Sequence, residues 1–152
     1  LMLAADVMKS VSEIVDKAVA DSGKQTEKIG TMVLATVEGD VHDIGKGIVA
    51  SLIKTQGIEV IDLGRDVSAE EIVNKAVEYD ADLIGTSALL TTTMGEQKKL
   101  EELLAARGLK GKIKTLIGGA PVTERFAKRI GADAYGEDAA EAVEKALALL
   151  HA

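Results

Sequence analysis

A short stretch between Asp40 and Gly47 concentrates the reactive side chains of this sequence. Asp40, His42 and Asp43 fall within four positions, and Gly45, Lys46 and Gly47 follow at once. A glycine-flanked lysine calls for comparison with phosphate-binding loops. The Walker pattern needs a glycine, four residues, then Gly-Lys-Ser/Thr. Here the position that should hold the first glycine is Asp40, and Gly47 follows the lysine. The dinucleotide fingerprint fails as well, because Gly39, Gly45 and Gly47 are wrongly spaced. A lone imidazole in a polar loop is ordinarily solvated or capping, and Asp43 by itself reads as a helix N-cap. Two further stretches hold small or hydroxylic residues: Ser87-Ala88-Leu89-Leu90-Thr91-Thr92 and Ile117-Gly118-Gly119-Ala120.

The elements that must position these residues follow from hydrophobic patterning. Short apolar runs occupy Thr31 to Val37, Glu59 to Leu63, Leu83 to Ser87, Ile113 to Ile117 and Ala132 to Tyr135. Helical patterns lie between and after them, at Ile44 to Thr55, Ala69 to Tyr79, Met94 to Ala106, Val122 to Ile130 and Ala139 to Leu150. Ser68 to Glu71 and Thr93 to Glu96 fit capping boxes, and Asp138 is placed to cap the last helix. Gly57, Gly108 and Gly131 stand just past three helix ends. Strands that are apolar on both faces and alternate with helices imply a parallel sheet covered on two sides. The expected fold class is therefore α/β: a Rossmann-like, flavodoxin-like five-stranded parallel sheet with helices on both faces. Ligands of such sheets bind beyond the carboxyl ends of the strands, where strand order reverses. In a flavodoxin-like order that point lies between the first and third strands, whose following loops are Glu38 to Gly45 and Ser87 to Thr92.

Composition narrows the field further. The chain has 152 residues, a formal charge of −7 and three aromatic side chains, Tyr79, Phe126 and Tyr135. An acidic surface without stacking platforms makes nucleic acid a poor partner. The absence of cysteine excludes disulfides, iron–sulfur clusters and thiolate zinc sites. No window is apolar enough to span a bilayer, so a membrane is not expected as partner. Ala18-Val19-Ala20 mimics a signal cleavage site, but Asp6, Lys9, Glu13 and Asp16 interrupt the preceding run. That segment reads as an amphipathic helix, followed by a linker at Asp21 to Thr26, and a cytoplasmic location is expected by elimination. A start at Leu1 suggests a processed chain or a fragment.

Two other users of this sheet fit poorly. A response-regulator receiver needs a phospho-accepting aspartate after the third strand and a lysine after the fifth, where this chain has Ser87 and Gly136. A flavin mononucleotide site would bring a Ser/Thr-rich first loop and an aromatic for the ring; neither is present. The chain is 15 glycines rich and poor in large rings to fill its interior.

Asp40-Val41-His42-Asp43-Ile44-Gly45 is an Asp-x-His-x-x-Gly motif. It resembles the signature of cobalamin-binding domains in methionine synthase, base-off mutases and the corrinoid proteins of methanol, methylamine and methoxy-compound methyltransferase systems. Ser87-Ala88-Leu89 is similar to that family's Ser-x-Leu, and Ile117-Gly118-Gly119-Ala120 contains its Gly-Gly. The resemblance covers Ile29 to Leu150, with three motifs in order, each at a strand end.

The resemblance implies a cobalamin cofactor, with methylcobalamin as the loaded state, held base-off with His42 as the lower cobalt ligand. Asp40 would accept the other ring N–H, and Ser87 would donate its hydroxyl to Asp40 and close a relay. Gly45 would open the first helix to the displaced nucleotide tail. Gly118 and Gly119 would allow backbone contact with that tail, and Tyr135 and Gly136 would flank its base. Asp43, Ile44, Leu89, Thr91 and Thr92 complete the expected cofactor-binding set. Residues 1–25 would be the remnant of a helical cap plus linker, and residues 26–152 the cobalamin-binding domain. Met2, Met8, Met32 and Met94 are read as packing, and His151 as inert.

The leading expectation is a methyl-carrier corrinoid protein, not catalytic alone. It would take a methyl group from a substrate-specific methyltransferase and pass it to an acceptor methyltransferase working on a thiol or folate-like acceptor. A reductive activase is a further expected partner. The alternatives are the cobalamin-binding subunit of an adenosylcobalamin-dependent mutase, which needs a large barrel, and a cobalamin-sensing regulator, which needs an output domain.

Overall fold

Every residue of the first strand, Gly30–Thr36 (β1), is buried, which is what an apolar run without alternation demands of a central strand. The computed structural model describes residues 28–42 and 44–151. The expected cap helix and linker in residues 1–25, and both roles expected of Asp43, lie outside the described residues. After β1 the elements alternate: α1 (Ile44–Thr55), β2 (Ile58–Asp62), α2 (Ala69–Glu78), β3 (Leu83–Ser87), α3 (Met94–Ala106), β4 (Lys114–Gly118), α4 (Glu124–Ile130), β5 (Ala134–Tyr135) and α5 (Ala139–Leu150). The strands form one sheet in the order β2-β1-β3-β4-β5, with every pairing parallel. This is the flavodoxin-like order, and it places the switch point between β1 and β3.

Side-chain alternation along the strands divides the core in two. Val33, Ala35 and Ile84 face α2 and α3 with Ile72, Val73, Leu100 and Leu104. Met32, Leu34, Leu83 and Leu116 face α1 and α5 with Ala50, Ile53, Ala142 and Ala146. A third cluster gathers around Ala88, Ile117, Val122 and Phe126. Helix α2 shows why such segments are helical. Its buried residues Ala69, Ile72, Val73 and Ala76 recur at helical spacing, and Ser68 Oγ accepts the Glu71 N–H at 3.2 Å to cap it. Asp138 caps α5 in the same way through the Glu141 N–H at 2.8 Å. Gly131 ends α4 in the left-handed region, at φ 83°.

The capping box expected at Thr93 does not form. Its backbone is helical and its side chain caps nothing, because the hydroxyl is committed elsewhere. That commitment belongs to the site. Among the described residues, no helix is long and apolar enough to cross a membrane.

Candidate cofactor site

Beyond β1 the chain makes a tight turn, with Gly39 at φ 84° and the Asp40 N–H donating to Val37 O at 3.1 Å. The neighbouring loop fixes this turn: Gly39 N–H donates to Asp66 Oδ1 at 2.7 Å, and Asp66 N–H donates to Asp40 O at 2.9 Å. The result aims the Asp40 carboxylate inward, fully buried. Its Oδ1 lies 2.7 Å from His42 Nδ1 and accepts the His42 N–H at 3.1 Å. Its Oδ2 accepts the Leu89 N–H at 2.6 Å and the Thr93 hydroxyl at 2.9 Å. Burial pushes the Asp40 pKa up. The hydrogen bonds from Leu89, from the His42 ring and backbone, and from Thr93 outweigh it, and hold the carboxyl at about 2.

An ionised carboxylate facing Nδ1 requires the proton on that nitrogen, which leaves Nε2 of the neutral ring with its lone pair. The His42 side chain is half exposed, so this nitrogen is presented at the surface rather than consumed by the core. Thr36 Oγ1 donates to His42 O at 2.8 Å and anchors the residue's backbone too. The arrangement is that of a pre-oriented imidazole ligand with a fixed tautomer.

The expected relay needs one correction. Ser87 does not reach Asp40; its Oγ lies 3.3 Å from Thr36 Oγ1, and Thr93 supplies the hydroxyl on Asp40. Ser87 ends β3 on the row paired with Thr36, whereas the loop after β3 carries Thr93 back over Asp40. The Thr93-x-x-Glu96 pattern concealed this role, because it suited a helix cap equally well.

Beside His42 opens a cavity of about 340 Å³, running down the sheet face beneath α1 and α5. Met32, Leu34, Gly85 and Leu116 line it from the strands, Ile48 and Val49 from α1, and Ala142 from α5. Of the expected residues, His42, Gly45, Ser87, Leu89, Gly118, Gly119 and Gly136 line it. Ile44 stands beside it, half exposed at the start of α1. Thr91 and Thr92 are exposed on the loop and do not line it. Tyr135 is a second correction, since alternation along β5 turns it onto the other face, against the Ile117 and Phe126 cluster. Burial pushes its phenol pKa up, followed by the neighbouring Glu137.

Lys46, the lysine of the failed phosphate loop, is a buried residue that sequence reasoning left without a role. Its ammonium pairs with the Asp62 carboxylate and donates to Gly64 O at 2.9 Å, tying α1 to the end of β2. The signal was available only as a cation next to a glycine, with nothing to say that its partner lay beyond β2.

The glycines show what kind of ligand fits. A Cβ on Gly119, at φ 127°, would stand 2.7 Å from the Ala88 carbonyl carbon and 2.9 Å from its nitrogen. A Cβ on Gly118 would meet Gly136 O at 3.3 Å. Both glycines thus allow the close approach of the protein's own loops, and both also line the cavity, where the tail contact was expected. Gly45 is the opposite case: a Cβ there meets nothing within 4 Å, although the residue lines the cavity. Val41 and Leu90 on the two loops flanking the imidazole, and Ile44 at the start of α1, are large apolar side chains 58%, 43% and 47% exposed. Among the described residues no group of three or more His, Cys, Asp or Glu side chains converges to hold a metal ion. A metal at His42 must therefore bring most of its own ligands. A single imidazole, an apolar surround and a deep slot for an appendage together fit a corrinoid.

Comparison with known proteins agrees. Residues 30–144 match the family described as the B12 binding domain. Trimethylamine corrinoid protein 2 of Methanosarcina acetivorans is 48% identical over 145 residues, covering 95% of this chain and 67% of that protein. A cobalamin-binding protein from Desulfitobacterium hafniense superposes with a TM-score of 0.82 at 37% identity, covering 91% of this chain and 67% of its own. The methanol:cobalamin methyltransferase complex from Methanosarcina barkeri contains a chain matching at TM-score 0.78 and 37% identity, over 99% of this chain and 56% of that one. The chain belongs to the B12-binding domain family, and its cofactor is a corrinoid.

Proposed function

We propose that this chain is the methyl-carrying corrinoid component of a methyltransferase system. When bound, the corrinoid supplies a cobalt centre that accepts and gives up a methyl group. His42 would offer Nε2 to the cobalt, with its ring held by Asp40 through Nδ1 while Thr93 and the Leu89 N–H hold Asp40. The carboxylate would make the imidazole a stronger donor to that metal. The cavity under α1 and α5 would receive the nucleotide tail, and Gly45 would leave room for it to enter.

The observation that carries this reading is the buried Asp40 orienting a half-exposed His42 at the mouth of an apolar slot. Its relatives support a carrier rather than a mutase subunit or a regulator, since they are named as corrinoid proteins of methylated amines. The methyl source is accordingly a methylated amine, delivered by a substrate-specific methyltransferase. A second methyltransferase would pass the methyl group to a thiol or folate-like acceptor, and a reductive activase is a further proposed partner.

The test is reconstitution with hydroxocobalamin under reducing conditions, with methylamine-specific methyltransferases of a related system and a thiol-methylating partner. Methylated thiol should form only when this protein, both enzymes and the amine are present. A bound corrinoid that neither gains nor loses methyl groups with any such pair contradicts the proposal and favours a regulator.

A further inference from the structure

The floor of the cavity is made by an unusual juxtaposition of β1 and β3. Strand pairing sets the rows that a ligand entering from the strand ends would pass. Thr36, Ser87 and Gly118 form the outer row, and Leu34, Gly85 and Leu116 form the next. Gly85 gives the middle strand no side chain at that depth. Met32 and Leu34 fill the space instead, leaning across from β1. A Cβ on Gly85 would come within 2.7 Å of Leu34 Cδ1 and still closer to the terminal methyl of Met32.

We propose that Met32 and Gly85 form a gauge for the base at the end of a corrinoid's nucleotide tail. The pair selects a bicyclic aromatic base with an apolar far end. This rests on the reading that the tail enters the cavity. Met32 is fully buried yet lines the cavity, so its flexible, polarisable thioether is the deepest adjustable group a base can meet. Its companions Leu34 and Leu116 are aliphatic. A base whose far end carries an amine, as adenine does, would lose hydrogen bonds to water there without replacement. A dimethylated benzimidazole presents methyl groups to the same floor and loses nothing.

The experiment measures dissociation constants of four corrinoids: cobalamin, its analogue without the two ring methyls, the adenine analogue, and tailless cobinamide. Each is titrated into wild type, Met32→Ala, Gly85→Ala and the double variant. Ile53→Ala serves as control, since Ile53 lies in the same core cluster without lining the cavity. Gly85→Ala pushes Met32 and Leu34 into the slot, so cobalamin should weaken about tenfold or more, the scale of one methylene in a closed pocket. Cobinamide should stay within about twofold. The double variant should recover most of the loss, because the new Cβ takes the space of the deleted thioether. Met32→Ala alone should shrink the preference for cobalamin over its unmethylated and adenine analogues.

Equal weakening of all four corrinoids by Gly85→Ala or Met32→Ala, or the same pattern from Ile53→Ala, overturns the gauge. Wild type binding cobinamide as tightly as cobalamin overturns the tail reading, and the gauge with it. The first failure leaves the wild-type preference for a tail intact, so the two are distinguishable. If Gly85→Ala does not fold, the selectivity of Met32→Ala decides.

Discussion

Replacing Asp40 by Asn keeps the shape of the side chain but removes the charge that fixes the His42 tautomer. At Oδ2 the carboxylate takes two donors, the Leu89 N–H and the Thr93 hydroxyl, and at Oδ1 it faces the imidazole. An amide cannot accept all of these. Corrinoid affinity should fall about 10–100-fold in Asp40→Asn, as is usual when the partner of a ligating histidine is lost. Binding titrations check this; unchanged affinity and an unchanged reduction potential would show that the pair does not tune the ligand. The same carboxylate makes stability pH-dependent. Its pKa is about 2 when folded against an ordinary 3.8, so between these values the unfolded chain binds more protons and stability rises with pH. The contribution is complete above about pH 5 and disappears as the pH falls through 2. Urea midpoints of the apo protein between these limits should drop less steeply in Asp40→Asn than in wild type. Thr93→Val should destabilise the apo protein by about 1.5–3 kcal/mol, the value of a hydrogen bond to a charged group.

At the scale of elements, two glycines should respond oppositely to the same substitution. Gly119→Ala drives a Cβ into the Ala88 backbone and holds alanine at φ 127°. It should cost well over about 1 kcal/mol in folding stability. Gly45→Ala meets open space in the first turn of α1, so apo stability should hold or rise by about 0.5–1 kcal/mol. Corrinoid binding should nevertheless weaken if, as proposed, the tail enters through the space that Gly45 leaves. Thermal melts with and without corrinoid separate the two. The elements themselves were legible in the sequence because local patterning decides them. Apolar runs became parallel strands, fully buried at β1 and partly exposed at the edges β2 and β5, and the glycines past three helices became left-handed caps. The two loops that the motifs named bring Asp40 and His42 together at the strand ends. The expected Ser87–Asp40 bond did not form and Tyr135 did not take its place beside the cavity, because both directions depend on strand register rather than on position in a motif. Thr93 and Lys46 were missed for a related reason. A hydroxyl that fits a cap and a lysine that fits a phosphate loop reveal their real partners, Asp40 and Asp62, only when distant strands are brought together.

At the scale of the molecule, the shortage of aromatic side chains has a structural counterpart. On the α1 and α5 side of the sheet Ala50, Ile53, Ala142 and Ala146 pack without a ring, and a slot opens there beside His42. A ligand that fills the slot should stabilise the fold by mass action, by about 2.7 kcal/mol at a hundredfold excess over Kd. A clear rise in Tm with cobalamin, and a smaller one with cobinamide, is the expected outcome. The central claim, that this surface exists to hand an imidazole to a cobalt centre, is tested most directly by spectroscopy. The protein is reconstituted in the Co(II) state with ¹⁵N-labelled and unlabelled histidine, and electron paramagnetic resonance is recorded. Hyperfine splitting from one axial nitrogen should change on labelling and vanish in His42→Ala. A splitting indifferent to both would contradict the account.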